Sequence, residues 1–388
     1  MKIRILFYAA LILMFIQSGC KPVMNVTRVS GTKAPSNKEG YYYALPRNYI
    51  KIDVVVNKTE QLKGPYAEFA EKYLGLTNVI KTNSTSYEIN EMKLSTYTEP
   101  DPQQFYFVEM NKCSLKKSKA FEMALTEAGL MVGSDFENTN AVAENNSVSL
   151  VNDETVFPDI FKYYADFNLF EKVDTIIEKV NVDSVTVEKM TFKRSVVEKT
   201  PEQKAKNAAD FIIKVKENRF NLISGFQEVN YDKETFKNMN EELEKMESEY
   251  RKLFTGISVT KKITYSFVYL PKAEKQNDSI GLFRFSKLKG VLDTTNGFGD
   301  VVNLKICKVA NTDSLKSYVN RKAAISSKNH GLYYRISDYA NITISDAKNE
   351  SVNAKFLIPQ FGVVTSIPAN LSKTRYYETG ALKQVGGK

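Results

Sequence analysis

Apolar and polar positions alternate most cleanly from Ile257 onward, where Ile257, Val259, Ile263, Tyr265, Phe267 and Tyr269 share one face of an extended segment. Strand side chains point to opposite faces with a period of two, so the pattern predicts a half-buried β-strand. "SIGLFRFSKL", "VVNLKICKV", "GLYYRI", "ANITIS" and "AKFLIPQFGVVTSIP" follow as further strands, joined by turn-rich links such as "TTNGFGD" and "DAKNE". Earlier in the chain Ile50, Ile52, Val54 and Val56 alternate with Tyr49, Lys51 and Asp53, which predicts a strand over 48–58. Strands over 85–97 and 103–110 are expected on either side of a turn at "EPDP", and "FEMALTEAGLMVG" reads as a hairpin bent between Glu127 and Gly129. "DTIIEKVNVDSVTVEKMTF" has strand character through Val182, Val185 and Val187. Residues 138–154 are polar and aperiodic, as in a mobile loop or an excursion between elements.

Two stretches change period. Pro65 opens and Gly75 closes a short helix in "PYAEFAEKYLG". From 200 to 256 the pattern is that of a helical hairpin. Thr200 is placed to cap, Pro201 takes the first helical position, and Gln203 completes a capping box. Ala205, Ala208, Ile212, Val215 and Leu222 form one seam; Phe236, Met239, Leu243, Met246, Tyr250 and Leu253 form the other, in steps of three and four residues. Antiparallel pairing sets the small Ala205 and Ala208 against the large Tyr250 and Leu253, and Gly225 and Gly256 stop the helices. A second stripe on the first helix, Ala209, Ile213, Phe220 and Ile223, places that helix between its partner and the β body.

These elements predict an α+β fold, mostly antiparallel β, with two β-rich modules of sandwich or barrel type joined by the helical hairpin. The expected boundaries are an N-terminal β-rich domain over 40–199, the hairpin over 200–256, a C-terminal antiparallel β domain over 257–371 and a tail over 372–388.

The first residues follow another logic. Lys2 and Arg4 precede an unbroken apolar run from Ile5 to Ile16, and Ser18-Gly19 set small residues before Cys20. The run falls well short of the ~20 residues that cross a bilayer as a helix, so residues 1–19 read as a cleaved leader. "FIQSGC" resembles the bacterial lipobox, with Gln17 where an aliphatic residue is usual; Cys20 is then the lipidated N-terminus and residues 20–39 a flexible tether. Acyl chains anchor through about 0.8 kcal/mol per buried CH₂. Lys21-Pro22-Val23 lack both the Asp that retains lipoproteins at the inner membrane and the acidic cluster that marks surface export. The expected address is the outer membrane, on its periplasmic face.

Charge and composition narrow the partners. The formal net charge is +9, to which the leader contributes Lys2 and Arg4. A basic balance suits anionic headgroups; no RGG tract, basic helix or zinc-finger spacing points to nucleic acid. Outer-membrane lipid, through Cys20, and another envelope protein are the expected partners. Of the 3 cysteines, Cys113 and Cys307 stand open between a disulfide and thiols, with a buried thiol favoured for Cys307 within a strand.

Candidate chemistry is sparse. The chain has 1 histidine, His330, which excludes motifs needing two, such as HExxH; it precedes Gly331 as a turn residue would. No GxSxG elbow is present. Asp293, Asn296 and Asp300 in "DTTNGFGD" suit a wide hairpin turn better than a cation loop, because EF-hand spacing and the terminal Glu are missing. The chain is expected to need no cofactor. Glu241, Glu242, Glu244, Glu247 and Glu249 form an acidic strip on the second helix of the hairpin, read as a solvated face or as a docking surface for a basic partner.

"YALPRNYIKIDVVV", "GPYAEFAEKYLGL", "AADFIIKVKENRFNLISG", "EYRKLFTG", "FRFSKLKGV" and "GLYYRISDYANITI" with "QFGVV" together resemble the domain of unknown function 4831 family of Bacteroidota lipoproteins, over about residues 40–371. The resemblance implies an envelope lipoprotein of that bacterial group and no particular activity. The group often O-glycosylates Asp-Ser/Thr followed by an apolar residue or Thr, which singles out Thr175, Ser184, Ser279, Thr294 and Ser314; Asp-Ser and Asp-Thr are also common turn pairs. The leading expectation is a non-enzymatic binding or scaffold lipoprotein of the cell envelope. An envelope hydrolase using paired carboxylates, which leave no linear motif, is one alternative. A glycan-binding lipoprotein is another, weakened by the absence of Trp.

Overall fold

Strand-forming alternation in this chain resolves into strands longer than the pattern alone indicates. The computed structural model describes residues 25–29, 39–109, 124–126, 128–132, 161–164, 168–182, 185–226, 231–309, 312–325, 330–345, 351–368, 373–377 and 381–386. The leader, Cys20, Cys113, the polar segment 138–154 and Ser184 lie outside them. In chain order the elements begin with β1 (Asn25–Arg28), β2 (Gly40–Leu62), a 3-10 turn (Ala67–Phe69) running into α1 (Ala70–Leu74), β3 (Ser84–Glu109), β4 (Ala124–Leu125) and β5 (Met131–Val132). Next come β6 (Leu169–Val182), β7 (Val185–Glu198), α2 (Pro201–Ser224), α3 (Lys233–Thr255) and β8 (Ile257–Tyr269). The chain continues through β9 (Asn277–Ser286), β10 (Gly290–Leu292), β11 (Asp300–Val309), α4 (Asp313–Ile325), β12 (His330–Ser345), β13 (Ser351–Pro368), β14 (Lys373–Tyr376) and β15 (Leu382–Gly386). The fold is α+β and mostly antiparallel, with a four-stranded sheet β1-β3-β2-β8, a five-stranded sheet β10-β9-β11-β12-β13, and two-stranded sheets β14-β15, β4-β5 and β6-β7.

The chain forms two compact units that interleave along the sequence. One comprises Met1–Val56, Ile89–Ser149 and Thr264–Lys388; the other comprises Asn57–Glu88 and Leu150–Ile263. These limits differ from boundaries drawn at 199/200 and 256/257, and several fall inside β2, β3 and β8. Alternation reports where a strand runs. It carries no information on which distant segments pack with each part of that strand.

In the first unit the inward residues of β2, including Ile50, Ile52, Val54 and Val56, are fully buried. Tyr43, Leu45, Tyr106, Val108, Met131, Leu332, Ile367 and Tyr376 form one apolar cluster. Tyr106 stacks on Tyr43 and on Tyr333, with ring centroids 5.3 and 4.5 Å apart. Polar side chains then tie the two larger sheets together. Arg335, 4% exposed, donates through Nη1 to the Pro46 carbonyl at 2.6 Å and through Nη2 to Asp101 Oδ2 at 2.9 Å. Gln360 accepts the Asn48 backbone N–H at 3.0 Å and donates to the Asn48 and Pro271 carbonyls at 2.7 and 3.2 Å. Asn48 in turn donates to the Leu357 carbonyl and accepts the Thr98 hydroxyl.

Gln360 reaches this position because β13 bulges against β12. The register passes from Ile336↔Val363 to Asp338↔Ile358, which leaves Pro359, Gln360, Phe361 and Gly362 out of regular pairing. Gly362 is required there: a Cβ on it would lie 1.8 Å from the Ile336 carbonyl oxygen. A second irregularity, between His330 and Tyr333, is closed by the Tyr43 hydroxyl, which accepts the Tyr333 N–H at 2.8 Å. Both bulges keep "GLYYRI" and "ANITIS" in one strand, β12, where alternation divides them.

Several sequence expectations are corrected. "EPDP" is no turn, for β3 runs through it. Residues before proline are biased to extended backbone, so Glu99 and Asp101 are held straight, and Asp101 is fastened by Arg335. The tether over 20–39 contains β1, whose Val26 is 5% exposed against β3. Likewise the tail over 372–388 contains the β14-β15 hairpin, and its Tyr376 joins the apolar cluster. Helix α4 goes unseen in the sequence because its start is set from afar: Asp338 on β12 accepts the Thr312 N–H and hydroxyl at 3.2 and 2.8 Å, and buried Lys308 pairs with both Asp338 and Asp313.

The second unit follows its pattern closely. Thr200 and Gln203 form the capping box with Pro201 at the first turn, and Gly225 ends α2 with φ 73°. Ala205, Ala208, Ala209 and Ile212 pack with Tyr250, Leu253 and Phe254, the small-against-large arrangement expected. Tyr66, from the segment leading into α1, and Ala70, its first residue, complete this core. The Tyr66 N–H donates to the Leu253 carbonyl at 2.9 Å, a close approach that Gly64 permits.

Two consequences are measurable. Replacing Arg335 with Met leaves Asp101 as a poorly hydrated, uncompensated charge and should cost about 3–5 kcal/mol. The pair Arg335→Met with Asp101→Asn should cost less than Arg335→Met alone, as judged by urea unfolding. Burial pushes the Tyr106 hydroxyl up to about 12 from the ordinary 10 and raises Tyr43 and Tyr41 as well. Between those values the unfolded chain releases protons that the folded chain keeps, so stability falls as pH rises from about 10 to 12. Tyr106→Phe should make that fall shallower in denaturant titrations across the window.

Candidate functional site

The β6-β7 ribbon pairs in unbroken register from Leu169↔Glu198 to Val182↔Val185 and stands as a sheet of its own. Period-two alternation with this register sorts its side chains into two faces. One carries Phe170, Lys172, Asp174, Ile176 and Glu178 with Lys189, Thr191, Lys193, Ser195 and Val197. The other carries Leu169, Val173, Ile177, Met190, Phe192 and Val196, whose exposures are 63%, 50%, 53%, 58%, 64% and 70%. Glu171 with Arg194, and Lys179 with Glu188, form ion pairs on that second face. An isolated two-stranded hairpin is marginal in water, and six large apolar side chains left half or more exposed on one face mark an interaction surface. Lys204, the second unit's buried lysine, pairs with Glu198 at the ribbon's base at 2.6 Å. The Lys204 hydrogen bond holds the Glu198 carboxyl below the usual carboxylate range.

The sequence reading passed over this face. Its signal was present: Leu169, Val173 and Ile177 are four apart, and β7 supplies Met190, Phe192 and Val196 on the same side once the register is known.

The five glutamates of the acidic strip on α3 are all paired. Glu241 meets Lys237 at 3.7 Å and Glu242 meets Lys245 at 3.6 Å along the helix, and Glu249 pairs with Lys252. Glu244 lies 3.1 Å from Arg219 on α2; Glu247 lies 3.7 Å from Arg219 and 3.5 Å from Lys216. Glu247 is 17% exposed at its side chain and faces α2, not outward as the strip reading requires. The mutual repulsion expected among these carboxylates is offset by cations within one turn or across the hairpin. On α2 the second stripe is covered only at Ala209; Ile213, Phe220 and Ile223 are 46%, 63% and 59% exposed. The expectation that this helix is sandwiched therefore fails beyond its first turns.

The turn at 293–300 is built from its own polar atoms. Asp293 Oδ1 accepts the Thr295 N–H and hydroxyl, Asn296 accepts the Phe298 N–H, and Arg284 donates to the Thr294 and Gly299 carbonyls. Among the described residues no three His, Cys, Asp or Glu side chains gather as a metal set, and no helix is long and apolar enough to cross a membrane. Cys307 is a half-buried free thiol in β11. Thr175, Ser279, Thr294 and Ser314 are exposed; Thr175 lies mid-strand on the apolar face of the ribbon, Ser279 on β9, Thr294 in the turn and Ser314 at the start of α4.

A family model described as domain of unknown function (DUF4831) matches residues 39–159 and 166–385. The chain belongs to this family. The match takes in both compact units, so the ribbon, the helical hairpin and the five-stranded sheet are parts of one DUF4831 chain. Searches of curated proteins and of solved structures found no match.

Pairing across the hairpin separates two glutamates of this DUF4831 chain that the sequence treats alike. Glu247→Lys sets a third cation beside Lys216 and Arg219 and should lower stability by about 1 kcal/mol. Glu242→Lys removes one exposed pair within α3 and should change stability by under about 0.5 kcal/mol. Thermal melts of the two variants check the order; equal melting temperatures would remove the cross-hairpin pairing.

Proposed function

We propose that this DUF4831 chain is a non-enzymatic binding or scaffold lipoprotein of the cell envelope, held by lipid on Cys20 at the periplasmic face of the outer membrane. The observation that carries the reading is the face of the β6-β7 ribbon on which six large apolar side chains are half or more exposed. The leader and the Ser-Gly-Cys junction support the location. The paired glutamates of α3 support a second, weaker contact area: Glu241, Glu242 and Glu244 remain exposed and keep acceptor capacity toward a basic partner. Ser279, Thr294 and Ser314 are accessible to an O-glycosylating enzyme.

Two measurements test it. Cys20→Ala should abolish palmitate incorporation and release the chain from the membrane fraction, since the acyl chains supply the affinity; labelling that persists overturns the lipid anchor. A photo-crosslinking residue at Phe192, on the apolar face, should give a discrete adduct in intact cells, whereas one at Lys193, on the opposite face, should give none. Absence of any adduct at Phe192 overturns the docking reading.

A further inference from the structure

We propose that the occupant of the apolar ribbon face is the same face of a second copy of this chain, an inference that rests on reading the ribbon as a docking surface. The support is self-complementarity. The ribbon's central rung on this face is Thr175↔Phe192, flanked on one side by Val173↔Arg194 and Glu171↔Val196, and on the other by Ile177↔Met190 and Lys179↔Glu188. Consider a two-fold axis through the central rung, lying between the faces and perpendicular to the strands. It lays β6 antiparallel over β6 of the copy. Glu171 then stands opposite Lys179 of the other ribbon, and Lys179 opposite its Glu171. Val173 meets Ile177, Phe192 meets Phe192, and Arg194 lies one rung from Glu188. On β6 opposite charges face each other at both ends, while on β7 Arg194 meets Met190 and Val196 meets Glu188; each contact off the axis occurs twice, as an isologous interface requires.

The same geometry answers the instability of a lone hairpin. Two ribbons stacked at the usual spacing of facing sheets, about 10 Å, make a four-stranded sandwich with one shared apolar layer. The six apolar side chains of this face, together with the aliphatic stems of Glu171, Lys179, Glu188 and Arg194, supply that shared layer. The pairing also requires an unmodified Thr175, because a glycan at the central rung would hold the faces apart.

The test uses the full chain in intact cells. Thr175→Cys places one thiol on each side of the two-fold, beyond disulfide reach but within that of a short bismaleimide. A covalent species of twice the chain mass is expected, and Thr191→Cys, on the opposite face, should give none. Glu171→Lys should lower the crosslinked yield of the Thr175→Cys chain several-fold, and adding Lys179→Glu should restore it in part, because the swapped charges face each other again across the axis while the pairs with Arg194 and Glu188 inside each ribbon stay broken. No double-mass species, equal yields from Thr175→Cys and Thr191→Cys, failure of the charge swap to restore, or a glycan on Thr175 in the native peptide would each overturn the pairing. Adducts at Phe192 with another protein or with lipid would overturn it too while leaving the docking reading in place; no adduct of any kind at Phe192 removes both.

Discussion

Buried hydrogen bonds between two sheets are the constraint on which the first unit depends. Arg335 and Asn48 are withdrawn from water, Gln360 is half-buried, and each finds its partners on an element far away in sequence. An apolar layer alone tolerates a slip of two residues, because the same face of the strand then stays buried. A guanidinium fork on the Pro46 carbonyl and Asp101, and an amide closed in both directions on Asn48, do not. Any slip would leave several buried polar groups unpaired, at roughly 1–3 kcal/mol each. The bulge in β13 and the glycine at 362 follow from this demand, since the amide of Gln360 reaches Asn48 only where the strand leaves regular pairing.

Charge has a different use in the second unit. The acidic strip of α3 looks like a ligand surface when counted along the helix, yet each carboxylate is answered by a lysine or arginine, and Arg219 and Lys216 draw two of them across to α2. Much of its charge thereby serves to align the hairpin. The ribbon beside it in the chain is the opposite case: its ion pairs stand among side chains that are half or more exposed and largely apolar. That contrast turns attention from the acidic helix to the ribbon as the surface on which a partner gains most by removing water.

Legibility in the sequence followed the range of the interactions. The capping box at Thr200, the left-handed glycine at 225, the helical seams and the alternation of β2 and β8 were all visible, because each is decided by residues within a few positions of one another. Misreadings clustered where a distant group decides: "EPDP" extended by Arg335, α4 started by Asp338, the tether drawn into a sheet by β3, and Tyr376 of the tail drawn into a cluster with Tyr43 and Tyr106.

By itself, then, the sequence determined the fold class, the hairpin with its caps, the family and the elements whose periodicity is local. Only the tertiary structure decided which strand segments belong to which compact unit, which glutamates face solvent, and that Leu169, Val173, Ile177, Met190, Phe192 and Val196 form one open face. The physical reason is register. A strand announces its two faces from its own residues, but whether two strands add their apolar faces or cancel them depends on pairing to the single residue, and whether a face is then covered depends on every other element of the chain.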